Sequence, residues 1–367
     1  MVVGLFVAAC SGAGGSAPTA ERVTSKMTPA TTPVPSTSTS STSLTAAPTT
    51  TPPAPVAPTT VAPTSASAIE GVSAEAIFEV ETTTDIVYAQ ALSHVDWRSE
   101  ETEIIDLTLD VYEPAGARSM ARPVLVMIHG GGFFNGNSAA APMTNMATYF
   151  ASRGWVAFSI NYRLAGDHGT LPAFFPIVDE SDPRQADQIY AIYTACRDAK
   201  ASIRWMRANA ETYGLDTERI TVSGGSAGSI TAVGLGVVDE SDCRDELTID
   251  EDPTLASTNL GQTSEIHTIV DHWGSAAMVQ VVELLNGGSR FDTTDAPISI
   301  VHGTEDPTVT FDKAEQLQAA YAETGVPYAF YPLEGAGHGA WQSVVDGNSL
   351  FELAFDFIVE HQDLHVR

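Results

Sequence analysis

The 367-residue chain predicts an α/β domain: a mostly parallel sheet with helices on both faces. Three observations carry that reading. Short, continuous apolar runs recur from residue 123 onward, which is how strands buried on both faces read. Stretches with helical spacing of apolar residues separate them, and strand–helix alternation builds sheets of this kind. With 43% hydrophobic residues the chain has material for a large core, yet no run approaches the ~18 apolar residues of a membrane span.

Taken in order, two β-rich runs open the domain, at 85–91 and 103–112. In the second, Ile105, Leu107, Leu109 and Val111 alternate onto one face. The run 123–128 reads as a doubly buried strand, and 155–161, 219–223, 266–272, 297–302 and 328–333 read the same way. Ile189, Ile192, Cys196, Ala199, Ile203 and Met206 recur every three or four residues, so part of 184–210 is an amphipathic helix. Further helices are expected near 141–152, 227–238, 276–285, 311–324 and 348–362.

Charge and composition divide the chain. Asp and Glu number 46 against 17 Lys and Arg, a formal charge of −29. Such a surface repels nucleic acid phosphates and anionic lipid, so neither is an expected partner. Residues 18–68 hold 33 Pro, Ser or Thr in 51, with no charge between Lys26 and Glu70 and no aromatic. Burial there could not offset the cost of ordering, so the segment is expected to be an unfolded stalk of a composition suited to O-glycosylation. The expected organisation is a signal-like segment at 1–17, the stalk at 18–68 and one folded domain at 69–367. Val7-Ala8-Ala9-Cys10 resembles the lipobox of bacterial lipoproteins, although no basic residue precedes it. The resemblance implies lipidation at Cys10, an extracellular or cell-surface location, and membrane contact only through that anchor.

Three cysteines exclude a disulfide-dense scaffold and a Cys₄ zinc site. Cys196 falls on the helix before the 219–223 strand and Cys243 just after the helix that follows it. In an oxidising compartment these two are expected to bridge. Val-Asp-Glu-Ser-Asp occurs at both 178–182 and 238–242; it lacks the spacing and Gly of a calcium loop, so it reads as solvated acidic surface.

In parallel sheets, ligands bind at the carboxyl ends of the strands, and three loops there carry chemistry. Gly224-Gly225-Ser226-Ala227-Gly228 lies between a strand and a helix. Its small residues permit a sharp turn that lifts the Ser226 hydroxyl above the sheet edge, over a helix N-terminus that favours negative charge. His129-Gly130-Gly131-Gly132-Phe133 follows the 123–128 strand. The amides of Gly131, Gly132 and Ala227 are candidate oxyanion donors, with His129 anchoring their loop. A serine nucleophile needs a base, and the base an orienting acid. Gly303-Thr304-Glu305-Asp306-Pro307 offers Asp306, with Glu305 as rival; Gly335-Ala336-Gly337-His338-Gly339 offers His338, with His272 and His302 as rivals. No histidine spacing points to a catalytic metal, and no cofactor is expected.

With these motifs the chain resembles the α/β-hydrolases of the carboxylesterase and lipase superfamily. Leu109-Asp-Val-Tyr-Glu-Pro, Asn161-Tyr-Arg-Leu and Tyr213-Gly-Leu-Asp are similar to the secreted acetyl xylan and feruloyl esterase-like branch. The resemblance implies Ser226 as nucleophile, His338 and Asp306 as partners, acyl transfer without a cofactor, and small or polysaccharide-linked esters as substrates. Type-B carboxylesterases carry Glu before the nucleophile, where this chain has Gly225. Residues 171–195 are long for the branch and are expected to contribute a partial lid, with Trp273 and Trp341 walling the pocket. A serine peptidase of the prolyl oligopeptidase type and a non-catalytic adhesion module are the alternatives.

Overall fold

The computed structural model describes residues 71–116, 121–176, 178 and 181–367. The signal-like segment, Cys10 and the stalk lie outside these residues. Eight strands form one sheet: β1 (Val80–His94), β2 (Thr102–Pro114), β3 (Arg122–Ile128), β4 (Val156–Ile160), β5 (Leu215–Gly225), β6 (Thr268–His272), β7 (Ile298–Gly303) and β8 (Tyr328–Leu333). Their spatial order is β1-β2-β4-β3-β5-β6-β7-β8. The β1–β2 and β2–β4 pairs are antiparallel, and every other pair in that order is parallel.

The helices are α1 (Ala141–Ala151), α2 (Pro183–Ala208), the single turn α3 (Ala210–Tyr213), α4 (Ala227–Val237), α5 (Ala277–Asn286), α6 (Asp312–Thr324) and α7 (Leu350–His361). All seven residues of β3 are buried, and alternate side chains serve two cores. Val124, Val126 and Ile128 join α2, α4, α5 and α6, whereas Leu125 and Met127 join α1 and α7. That division explains the continuous apolar runs: a strand covered on both sides has no solvent face to mark with polar residues. Local chemistry sets the helix ends. Asp182 accepts from the Gln185 amide at 3.2 Å ahead of Pro183, and Ser349 and Glu352 form a reciprocal capping box on α7.

Three expectations are corrected. The 328–333 strand is not doubly buried: as β8 it is the sheet edge, and only Leu333 is buried. From Pro183 onward the 171–195 segment is the first half of α2, and Phe175 ahead of it packs into the core against Tyr190 and Tyr193, so these parts form no lid. Cys196 and Cys243 are neighbours as expected but remain free thiols. Burial and a hydrogen bond with Cys196 hold the Cys243 thiol well above its ordinary pKa, and a neutral thiol shut from solvent is a poor partner for disulfide exchange.

The 238–242 segment is likewise not simply solvated. Asp242 is 2% exposed, takes Arg290 at 2.7 Å and Asn286 at 2.7 Å, and its carbonyl accepts from the buried Lys200 ammonium at 2.8 Å. Among the described residues no group of three or more His, Cys, Asp or Glu side chains is placed to hold a metal, and no helix is long and apolar enough to cross a membrane.

Candidate active site

The sheet order brings together loops that are far apart in the chain. β3 and β5 are neighbours, so the glycine loop abuts the turn after β5. An ideal Cβ built on Gly130 would stand 2.6 Å from the Gly225 carbonyl oxygen and 3.3 Å from the Ser226 Cβ, so only glycine permits this approach. Ser226 itself has φ +58° and ψ −123°, a strained conformation for a side-chain-bearing residue. The strain is held by the Ser226 amide donating to the His272 carbonyl at 3.0 Å and by α4 starting at the next residue. Ala227 opens α4, so its amide has no partner within the helix. Among the described residues no backbone carbonyl accepts from the amides of Gly131, Gly132 or Ala227.

On the other side of β6, Asp306 follows β7 and His338 follows β8. His338 Nδ1 and the Asp306 carboxylate are 2.7 Å apart at Oδ2. The amides of Thr308 and Val309 donate to Oδ1 at 2.8 and 3.0 Å, which fixes the carboxylate plane. Asp306 is 5% exposed, whereas the rival Glu305 is exposed and makes no hydrogen bond to His338. The His338 side chain is 24% exposed. The Ser226 hydroxyl makes no hydrogen bond here, to His338 or to any other described group. His338 meets Trp273 edge-on, with ring centroids 6.2 Å apart, and Trp273 follows the strand on which Gly225 is paired.

The rival bases are committed elsewhere. His272 is fully buried, its Nδ1 lies 3.0 Å from the Gly224 carbonyl, and burial lowers its pKa to about 4. His302 is buried with Nε2 2.8 Å from the Val309 carbonyl and 3.5 Å from Asp306 Oδ2, which His338 holds closer, and burial lowers its pKa as well. His129 is the anchor expected of it: Nδ1 is 2.8 Å from the Gly130 carbonyl, its ring stacks on Tyr162 at 4.4 Å, and burial again lowers its pKa.

A cleft of about 160 Å³ opens beside the serine. Its near wall is Gly132, Phe133, Ser226, Ala227 and Ile230; beyond lie Gln280 and Glu283 of α5, Phe291, and Lys313 and Gln316 of α6. The sequence reading missed this far wall, because neither helix carries a motif. It also misplaced the tryptophans. Neither lines the cleft; Trp273 is 1% exposed, and Trp341 packs edge-on against it at 4.7 Å, behind Gly225.

A carboxylesterase family model matches residues 89–242, and a prolyl oligopeptidase family model matches 195–364. Esterase LipC of Mycobacterium tuberculosis is 24% identical over 250 residues, covering 63% of this chain and 56% of its own length. Fumonisin B1 esterase of Sphingopyxis macrogoltabida is 33% identical over 129 residues, 35% of this chain and 22% of its own. The chain therefore spans about a fifth to a half of the length of these curated relatives. Thermogutta terrifontis esterase 2 phosphorylated by paraoxon superposes with a TM-score of 0.52 at 26% identity, covering 77% of this chain and 94% of that one. Sheet order, serine turn and these likenesses together make the chain an α/β-hydrolase fold.

Proposed function

We propose that this chain is a serine carboxylic ester hydrolase. The observation that carries the reading is the 2.7 Å Asp306–His338 pair, set at the same carboxyl end of the strands as a strained Ser226 flanked by amides without backbone acceptors. The carboxylesterase match over 89–242 supports it. Asp306 holds His338 with its Nδ1 proton inward, leaving Nε2 to take the Ser226 proton as the hydroxyl attacks the ester carbonyl. The oxyanion faces the amides of Gly131, Gly132 and Ala227, each worth about 3 kcal/mol in the transition state. The alcohol leaves with the proton from Nε2. Water, deprotonated by the same nitrogen, then releases the acid and restores the serine.

The small cleft favours short acyl groups, and acetyl or feruloyl esters on polysaccharides are the natural substrates that the sequence resemblance implies. Export, with lipid on Cys10 and the stalk as tether, suits polymers that stay outside the cell; loss of metabolic lipid labelling in Cys10→Ala tests that location. The prolyl oligopeptidase match over 195–364 favours a second reading, a serine peptidase. One panel separates them: p-nitrophenyl acetate, butyrate and palmitate, acetylated xylan, methyl ferulate and a proline amide, with fluorophosphonate labelling of Ser226. The proposal expects labelling and fastest turnover of two- to four-carbon esters. Faster cleavage of the amide overturns it in favour of the peptidase, and a folded chain that takes no label is the adhesion module.

A further inference from the structure

Gln188 reaches the Gly132 carbonyl of the glycine loop from outside the three loops. Gln188, on the second turn of α2, is 5% exposed, and its Nε2 donates to the Gly132 carbonyl at 3.1 Å. It lines the cleft together with Ser226 and Ala227. The adjoining carbonyls have other donors. Gly130 takes His129, Gly131 takes the amides of Phe134 and Asn135, and Phe133 takes the amide of Ala165. No backbone amide donates to the Gly132 carbonyl among the described residues, so that peptide depends on Gln188. The dependence falls at a vulnerable point. Gly132 and Phe133 have consecutive left-handed φ values of +65° and +69°, and Phe133 has a side chain that disfavours it. The Gly132 carbonyl shares its planar peptide with the Phe133 amide, so the bond from Gln188 fixes the orientation of that whole peptide. Released from α2, the Gly132 oxygen could turn into the cleft and set a negative dipole where the donors should stand.

We infer that Gln188 is a positioning residue for the oxyanion loop: by holding the Gly132 carbonyl on α2 it keeps that carbonyl's negative dipole out of the space where the Gly131 and Gly132 amides meet the ester oxygen. The inference rests on the esterase reading of the site. A donor that acts on loop direction alone should matter in the transition state, where charge develops, more than in substrate binding.

The full-length chain is compared with Gln188→Met, which keeps length and removes the donor, and Gln188→Glu. For Gln188→Met on p-nitrophenyl butyrate, kcat should fall about 10- to 100-fold, the range for a donor misplaced by up to ~1 Å. KM should stay within about threefold and Tm within about 3 °C. Gln188→Glu adds a readout that plain packing would not move. Its carboxylate cannot donate to a carbonyl, but its protonated acid can. The ratio of its kcat to that of wild type should therefore rise as the pH is lowered from 8 to 5. Should Gln188→Met fail to fold, that ratio decides, and a flat one overturns the inference. A fully active Gln188→Met beside an active, fluorophosphonate-labelled wild type overturns this inference alone. An unlabelled, inactive wild type overturns the esterase reading and this inference with it.

Discussion

Gly130→Ala tests the distance on which the proposed chemistry depends. Gly130 has an ordinary φ, so alanine brings no backbone strain, and its effect is purely one of space. The new Cβ would lie 2.6 Å from the Gly225 oxygen, where carbon needs at least 3.0 Å and is comfortable at 3.4 Å. The glycine loop and the serine turn must therefore part by about 0.4 to 0.8 Å. A 1 Å misplacement of reacting groups costs about 100-fold, so this parting should lower kcat by about 6- to 40-fold. Overpacking should cost about 1–3 kcal/mol of stability. The control is Gly337→Ala, whose Cβ meets nothing nearer than 4.0 Å and whose loop carries His338; it should leave Tm unchanged. The assay is kcat and KM on p-nitrophenyl butyrate, with unfolding followed by circular dichroism. If Gly130→Ala loses stability yet keeps kcat within twofold, the loops can separate without disturbing the reaction, and the oxyanion site does not lie between them.

Ser226→Ala should lose about 10⁶-fold in kcat with its circular dichroism spectrum unchanged; more than about a hundredth of wild-type activity removes Ser226 from the mechanism. Burial raises the Asp271 carboxyl to about 7 and lowers the adjacent His272 to about 4, so as pH rises from about 4 to 6.5 the first loses stability and the second gains it. Asp271→Asn removes the losing member, and its urea-unfolding stability should gain on wild type by up to ~1.4 kcal/mol per pH unit across that window, whereas parallel curves would refute the assignment. With a formal charge of −29, screening of self-repulsion should raise Tm between low and molar NaCl, and a flat or falling curve counts against it.

The sequence made the strands legible because each doubly covered strand had to be apolar along its whole length, as β3 is. It misread β8, whose Tyr-Ala-Phe-Tyr-Pro-Leu looks equally apolar; Pro332 was the available signal, since proline within a sheet marks an edge. The serine turn, the glycine loop and the Asp306–His338 pair were readable because each sits in a loop whose small residues have a conformational purpose. What the sequence could not supply was sheet order. Without it, Gln188 is one more polar residue on a helix, and Gln280, Glu283, Lys313 and Gln316 give no hint that α5 and α6 close the cleft. The cysteines mark the same boundary. Helix adjacency was deducible and correct, but bond formation depends on thiol ionisation and access, which spacing does not encode.

The polar groups packed around the serine share one habit. His129 bonds to the Gly130 carbonyl, His272 and Ser229 to the Gly224 carbonyl, His302 to the Val309 carbonyl and Gln188 to the Gly132 carbonyl. Each bonds a backbone carbonyl of a site loop or of the serine turn; Ser229 also bonds the Asp271 carboxyl, and His302 Nε2 stands 3.5 Å from Asp306 Oδ2. Burial lowers the pKa of all three of these histidines, so near pH 7 they are neutral and serve as fixed donors. His338 differs from them: its ring bonds the Asp306 carboxylate at 2.7 Å and no backbone carbonyl, and its side chain is 24% exposed. A site that immobilises three imidazoles as scaffold and leaves the fourth paired and accessible has separated loop geometry from proton transfer. That separation predicts distinct mutant phenotypes. Loss of a scaffold histidine should lower Tm together with kcat, whereas loss of His338 should abolish kcat and leave Tm nearly where it was.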